Sequence, residues 1–206
     1  IARPHPMRRI LQGDVGSGKT VVALLAALPV LENGLQVVLL APTTILAKQH
    51  FETISKLLGD KYSISLVTSS TSKVIRNKSS FLIGTHAILA NKDRLIENLG
   101  MIIIDEQHRF GVNQRRELLS LKSGGNTPHL LQLTATPIPR SIALTLFGDY
   151  DVSIILPPSG RKQVITYLVP ERKREDSVDW IKEKLTQGGQ VFWIFPMIEE
   201  SEEEKA

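Results

Sequence analysis

GDVGSGKT, residues 13–20, is the stretch that decides the fold. It fits the pattern G-x-x-x-x-G-K-[ST], follows the short segment Arg9-Ile10-Leu11-Gln12, whose middle two residues are apolar, and runs into a helix-like segment at residues 21–32. In a strand–loop–helix context the glycines let main-chain N–H groups turn toward phosphate oxygens, and the helix adds its amino-terminal dipole. The alternative is a chance glycine-rich turn. We expect the whole loop to bind phosphate: Gly13, Asp14, Val15, Gly16, Ser17, Gly18, Lys19 and Thr20.

Two residues of the loop have further expected roles. Lys19 is expected to reach the β- and γ-phosphates, and the hydroxyl of Thr20 to ligate Mg²⁺. The first function class indicated is therefore a protein that binds a nucleoside triphosphate with its magnesium ion.

Composition limits the remaining possibilities. The chain has 206 residues, is 42% hydrophobic and contains no cysteine. This suffices for one packed domain or slightly more, excludes disulfides and thiolate metal sites, and is compatible with a reducing compartment. There is no run of 18 apolar residues and no apolar signal segment. We therefore expect a cytoplasmic protein with no membrane partner.

The charge is unevenly distributed. The formal net charge is +4, yet the last eight residues alone carry −4, which leaves +8 on residues 1–198. A positive body suits an anionic partner such as nucleic acid, although ordinary surface lysines and arginines give the same sum.

Short apolar runs alternate with amphipathic segments. This alternation predicts an α/β fold with a parallel sheet covered by helices on both faces, and catalytic loops at the carboxyl ends of the strands. Strands are expected at 37–41, 63–67, 81–84, 101–105, 129–134 and 152–155, and further helices at 44–58, 112–121 and 138–147.

A break in this pattern follows residue 156. Pro157-Pro158 and a nearby glycine predict a linker at 157–163, after a first domain at 1–156. A strand at 164–169, a helix at 175–186 and a strand at 190–195 would follow. One such cycle cannot cover a sheet on both faces, so we expect 164–206 to begin a second α/β domain whose remainder is missing.

A second functional signal ends the apolar run 102–104. Asp105 and Glu106 follow it directly, and side chains alternate along a strand, so the two carboxylates can serve different tasks. Asp105 is expected to hold Mg²⁺ and Glu106 to orient and deprotonate the attacking water. A solvated strand end is the alternative. With the phosphate loop, the pair indicates a nucleoside triphosphatase.

A third signal is Thr134-Ala135-Thr136-Pro137, at the end of the next apolar strand. Two hydroxyls at i and i+2 can bridge the carboxylate site and a neighbouring surface. On its own the pattern is equally that of a Thr-rich strand end.

Together these strings resemble motifs I, II and III of superfamily 2 helicases, whose motor domains are RecA-like P-loop NTPases. Residues 41–47 resemble motif Ia and residues 84–86 motif Ib. Longer strings are similar to the bacterial RecG DNA helicase family. They are LQGDVGSGKT (11–20), IIDEQHRFGVNQR (103–115), LTATPIPRSIALTLFGD (133–149) and GRKQVIT (160–166).

The resemblance implies an ATP-dependent DNA helicase that remodels forks and branched DNA in the bacterial nucleoid, with ATP and Mg²⁺ as cofactors. It implies catalytic roles for Lys19, Asp105, Glu106 and His108, the last linking the ATP site to the two threonines. DNA contacts, mainly to the backbone, and coupling to ATP are implied for Thr43, Thr85, His86, Arg109, Gln114, Thr134 and Thr136. The alternative for 109–115 is a helix start with solvated arginines.

Parts of the family pattern fall outside the chain. Motif IV only begins near residues 190–201, and motifs V and VI, with their arginine fingers, and the DNA-splitting wedge domain are expected elsewhere in the parent protein. Arginine fingers contribute several orders of magnitude to phosphoryl transfer. We therefore expect the isolated chain to bind Mg-nucleotide weakly and to hydrolyse it very slowly, without DNA stimulation.

Two other functions remain open. Thr44 stands where RecG helicases frequently have Glu. In this respect the chain is similar to the transcription–repair coupling factor, a duplex-DNA translocase that displaces RNA polymerase. A nucleotide-binding structural or regulatory module is the alternative of another class. Glu106 argues against it, because a binding module needs no water-activating carboxylate.

Overall fold

The computed structural model describes residues 5–69, 79–106, 127–136, 150–156 and 164–194. The chain divides into two compact units, Ile1–Arg161 and Lys162–Ala206. No described helix is long and apolar enough to cross a membrane.

The first unit is built on a seven-stranded sheet in which every pair of neighbouring strands is parallel. In chain order the strands are β1 (Arg8–Gly13), β2 (Gln36–Leu40), β3 (Ile64–Val67), β4 (Phe81–Gly84), β5 (Leu99–Asp105), β6 (His129–Thr134) and β7 (Asp151–Ile155). Their order across the sheet is β3-β4-β2-β5-β6-β1-β7. The strand before the phosphate loop is thus separated from β5 by β6 alone.

Four described helices accompany these strands in the first unit. They are α1 (Lys19–Glu32), α2 (Thr44–Leu58) and the short α3 (Ala87–Ala90) and α4 (Lys92–Leu95), with a 3₁₀ turn at Gly59–Lys61. Helix α2 begins at a true amino-terminal cap, because the Thr43 side chain accepts the N–H of Leu46 at 3.3 Å. It ends at Gly59, whose φ of 57° lies in the region that favours glycine.

The sheet is covered by helices on both faces, as the apolar runs predict. One core joins α1 and α2 to alternate strand residues such as Leu39 and Ile103; the other joins α3 and α4 to their neighbours, such as Leu40 and Ile104. All residues of β2, β4 and β5 are buried. The predicted α/β class, a parallel sheet covered by helices on both faces, is confirmed.

The predicted elements of the first unit that lie among the described residues agree with the observed ones to within two residues, whereas the short helices α3 and α4 were not predicted. The predicted helices at 112–121 and 138–147 lie outside the described residues.

The second unit contains one described helix, α5 (Arg174–Thr186), preceded by a 3₁₀ turn at Glu171–Lys173. The strands predicted at 164–169 and 190–195 were wrong for the described residues 164–169 and 190–194, which form no strand. The physical reason is pairing. An apolar, β-branched run becomes a strand only when a neighbour accepts its ladder of hydrogen bonds, and no partner strand is described in this unit. Leu168 is 97% exposed as a result.

Candidate active site

The phosphate loop leaves β1 at Gly13 and enters α1 at Lys19. Gly16 and Gly18 have φ of 76° and 91°, which side-chain-bearing residues adopt rarely. A Cβ on Gly13 would lie 2.5 Å from Ser17 Oγ. Glycine at these three positions therefore lets the main chain curl tightly over the strand end.

Lys19 closes the loop from within. Its Nζ donates to the carbonyl oxygens of Gly13, at 2.7 Å, and Asp14, at 2.9 Å. The ammonium is thus held against the loop main chain, where it can exchange these carbonyl oxygens for phosphate oxygens. Ser17 Oγ is buried without a hydrogen-bond partner among the described residues, so the loop also offers a polar atom that a ligand can satisfy.

The start of α1 favours an anion. Its cap residue, Gly18, makes no side-chain capping bond, and the first turn carries no acidic residue. The first N–H groups of a helix have no intrahelical partner and carry partial positive charge. Phosphate therefore fits this end of α1 both by charge and by hydrogen bonding.

Strand register brings the three predicted signals to one edge of the sheet. Asp105 is paired with Leu133, and Thr134 with Gln12, the residue before the phosphate loop. Neighbouring strands lie about 4.8 Å apart, so the ends of β1 and β5 lie roughly 10 Å apart with β6 between them. This space is suited to a phosphate chain and its metal ion.

Glu106 is fixed to the end of β6. Its N–H donates to the Leu133 carbonyl at 3.0 Å, and its Oε1 accepts the N–H of Ala135 at 3.1 Å. Glu106 has a positive φ of 48°, and no other non-glycine residue in the described part of the chain has a positive φ. Such a conformation costs of the order of 1 kcal/mol and is typical of functional sites, where surrounding contacts maintain it.

The two threonines form a small turn around Ala135. Thr134 Oγ1 accepts the N–H of Thr136 at 3.1 Å, and the two hydroxyls lie 2.9 Å apart. Thr134 is buried and Thr136 exposed. Among the described residues the link from the acidic pair to this turn therefore runs through a main-chain N–H, a contact that residue types alone do not predict.

His50 is a site residue that sequence reasoning missed. It lies on α2, and its Nε2 is 2.8 Å from Asp105 Oδ2. Its signal was a polar residue on the apolar face of an amphipathic helix, three residues after Ala47 and four before Ile54. Both of those neighbours are buried.

The predicted DNA-contacting residues differ in accessibility. Thr43 and His86 are exposed, whereas Thr85 is buried and its Oγ1 accepts the N–H of Ala87 at 3.4 Å. Of the residues at the end of β4, His86 therefore has the accessible side chain. His108, Arg109 and Gln114 lie outside the described residues.

The residues present fit a magnesium ion held mainly by its nucleotide. Among the described residues no group of three or more His, Asp or Glu could bind a metal by itself. Magnesium in nucleotide sites is commonly held by one or two protein oxygens together with phosphates and water. Asp105 and the hydroxyl of Thr20 are donors of the required type.

A parallel sheet with a phosphate loop after β1 and an acidic pair after β5 defines a RecA-like P-loop protein. The chain belongs to the DEAD/DEAH box helicase family, whose model matches residues 5–145.

Among curated proteins, the chain is similar to ATP-dependent DNA helicases named RecG. The chain is 47% identical over 98% of its length to the ATP-dependent DNA helicase RecG of Aquifex aeolicus, and 43% identical over 96% to that of Thermotoga maritima. It spans only 27% and 26% of these two proteins.

Solved structures agree with this. A structure of RecG bound to a three-way DNA junction superposes with a TM-score of 0.76 at 39% identity, covering 95% of this chain and 27% of that one. Dbp5 of S. cerevisiae bound to RNA and ADP BeF3 gives a TM-score of 0.59 at 19% identity, over 72% of this chain and 42% of that one. The second likeness concerns the fold alone.

Proposed function

We propose that this chain belongs to an ATP-dependent DNA helicase of RecG type, which uses ATP and Mg²⁺ to drive branch migration of forks and junctions in recombination and repair. Residues 1–156 would be its first RecA-like domain, 157–163 the linker and 164–206 the start of the second domain. High identity to RecG helicases over nearly the whole chain supports this assignment.

The observation that carries the proposal is the contact between Glu106 Oε1 and the Ala135 N–H. It ties the carboxylate expected to activate water to the Thr134–Thr136 turn, on the side where a motor must sense the state of its nucleotide. A static binding module gains nothing from such a link. A motor needs it, because hydrolysis must move a second element.

Each residue of the site has a definite task. Lys19 would exchange its carbonyl partners for phosphate oxygens, and Thr20 and Asp105 would hold the magnesium ion. Mg-ATP supplies the phosphoanhydride bond whose cleavage drives movement. The Glu106 carboxylate orients a water molecule and accepts its proton.

DNA contacts would fall at the exposed carboxyl ends of the strands beyond the nucleotide. Thr43, at the start of α2, and His86, after β4, present a hydroxyl and an imidazole that can contact phosphates. Such groups position DNA without reading its sequence. A bacterial nucleoid location follows from this activity.

Glu106→Gln in the full-length protein tests the proposal. We expect ATP binding to remain within about threefold, and turnover and fork unwinding to fall by 10²-fold or more, because the general base is lost. Glu52→Gln, an exposed carboxylate on α2, is the matched control and should change neither. Equal turnover in E106Q and the unmodified protein would favour the binding module.

The second candidate, a translocase that displaces RNA polymerase, is favoured only by Thr44. Both activities can be measured with the same protein: regression of a synthetic fork, and release of RNA polymerase stalled on duplex DNA. Fork regression without polymerase release supports the RecG-type assignment, and the reverse result supports the alternative.

A further inference from the structure

The most informative contact outside the expected motifs joins His50 to Asp105. Nε2 of His50 and Oδ2 of Asp105 lie 2.8 Å apart, although the two residues are 55 positions apart in the chain. Their side chains are only 11% and 13% exposed. A largely buried polar pair of this kind is a specific interaction, because each group has little water to bind if its partner is absent.

The position of His50 is set by the packing of α2. Ala47 and Ile54, which lie on the same helix face, are 0% and 1% exposed. An imidazole therefore occupies a place on this face where its neighbours are core residues.

The contact constrains the carboxylate. Carboxylate oxygens only accept hydrogen bonds, so Nε2 is the ring nitrogen that donates. A donor fixed on Oδ2 sets the rotation of the carboxylate about its Cβ–Cγ bond, and with it the direction in which the group meets a cation. Hydrogen-bond partners of metal-binding carboxylates typically contribute 10- to 100-fold to metal affinity or activity.

Helix α2 also connects this contact with a second place. The helix begins at Thr43, seven residues before His50, which corresponds to about two turns or 10 Å. The Thr43 carbonyl accepts the N–H of Ala47 at 3.0 Å, so the first turn is intact. Helix α2 therefore runs from the exposed cap residue Thr43 to His50, the hydrogen-bond partner of Asp105.

We propose that His50 is a positioning residue that orients Asp105 for Mg²⁺, and that α2 thereby joins the Thr43 end of the sheet edge to the metal site. The metal-site assignment rests on the proposed function. The His50–Asp105 contact does not use the Thr134–Thr136 turn, so it is a separate connection to the nucleotide site.

Four variants of the full-length protein test this: His50→Ala, His50→Gln, His50→Asn and the control Glu52→Ala. The first readout is Mn²⁺ affinity in the presence of ADP, measured by electron paramagnetic resonance, which requires no turnover. We expect H50A to weaken Mn²⁺ binding about tenfold and to raise the Mg²⁺ concentration for half-maximal ATPase by a similar factor. E52A should change neither.

The Gln and Asn variants test whether the position of the donor nitrogen at residue 50 matters. The amide nitrogen of Gln reaches about as far as Nε2, whereas that of Asn reaches about as far as Nδ1. We expect H50Q to recover most of the Mn²⁺ affinity and H50N little of it. If H50A fails to fold, the comparison of H50Q with H50N still tests whether His50 orients Asp105.

Other results would overturn the proposal. Mn²⁺ affinity unchanged in H50A, or equal in H50Q and H50N, would mean that His50 only packs α2 against the sheet. A His50-dependent metal affinity in a protein that lacks fork unwinding before any substitution would instead reject the proposed function and leave the positioning role intact.

Discussion

The two units of this chain have the same kind of sequence pattern, apolar runs alternating with helical segments, but among the described residues the pattern forms a sheet in the first unit only. In Ile1–Arg161 every described apolar run that was predicted to be a strand is one, paired in a parallel sheet. In Lys162–Ala206 the described residues 164–194 form a 3₁₀ turn and the helix α5 but no strand, and Leu168 and Phe192 are 97% and 86% exposed. None of the described residues of the second unit is buried.

The difference shows what a local pattern can specify. A helix satisfies its main-chain hydrogen bonds within its own segment, so α5 needs no partner. A strand satisfies them only with a neighbour. Parallel strands add a further demand, since they are stable when both sheet faces are covered.

Hydrogen exchange should give the largest contrast between the units. Amides in β2 and β5 are paired and buried, so they should exchange only through global unfolding, at least about 10³-fold slower than the unfolded chain. Amides of residues 164–169 should exchange within about tenfold of that chain. Mass spectrometry of peptides from both regions measures this, and strong protection at 164–169 would show that a strand partner exists.

Truncation of an isoleucine side chain should give the second-largest contrast, measured as the loss of unfolding free energy in each unit. Ile103 is 0% exposed in β5, and Ile103→Ala should cost about 2–5 kcal/mol of unfolding free energy. Ile165 is 69% exposed, and Ile165→Ala should change it by less than about 0.5 kcal/mol. Urea denaturation followed by circular dichroism provides both values. Similar losses at the two positions would contradict the contrast.

Nucleotide should stabilise the first unit selectively. At a Mg-ADP concentration ten times its dissociation constant, binding adds about 1.4 kcal/mol to the unfolding free energy. Slower exchange is expected in β1, α1 and β5, with no change at residues 164–194. Lys19→Ala, which removes the ammonium from the loop, should abolish the effect. Slower exchange at 164–194 on addition of nucleotide would show that the second unit responds to it.

The smallest effect is a pH dependence confined to the first unit, which contains all five histidines. Burial lowers the pKa of His129 below its usual value, and its Nδ1 accepts the N–H of Met7 at 2.8 Å. In the folded chain His129 therefore resists protonation. The contribution of neutral His129 to the unfolding free energy is present above its pKa in the unfolded chain, about 6.5, and is lost as pH falls below that value.

Urea denaturation at pH 7.5 and 5.5 measures this loss. His129→Gln should reduce the difference between the two pH values, whereas His5→Gln, at an exposed position, should leave it unchanged. An identical difference in H129Q and the unmodified chain would assign the pH dependence to other groups.

Much of the first unit was predictable, because its signals are local and strong. The phosphate loop needs glycines at fixed positions, and Asp105-Glu106 ends an apolar run whose length favours a buried strand. The helix at 44–58 followed from its apolar spacing and from Gly59. The second-unit strands were not predictable, since the same local evidence does not say whether a partner strand is present.

The amino-acid sequence by itself determined which residues form the phosphate loop and the acidic pair, and the alternation that requires a parallel sheet. These depend on residue type and spacing along the chain. Only the tertiary structure decided that β6 lies between β1 and β5, that Glu106 binds the Ala135 N–H, and that His50 reaches Asp105. Those contacts join positions 29 and 55 residues apart, and such distances are closed by strand order and helix packing rather than by any local pattern.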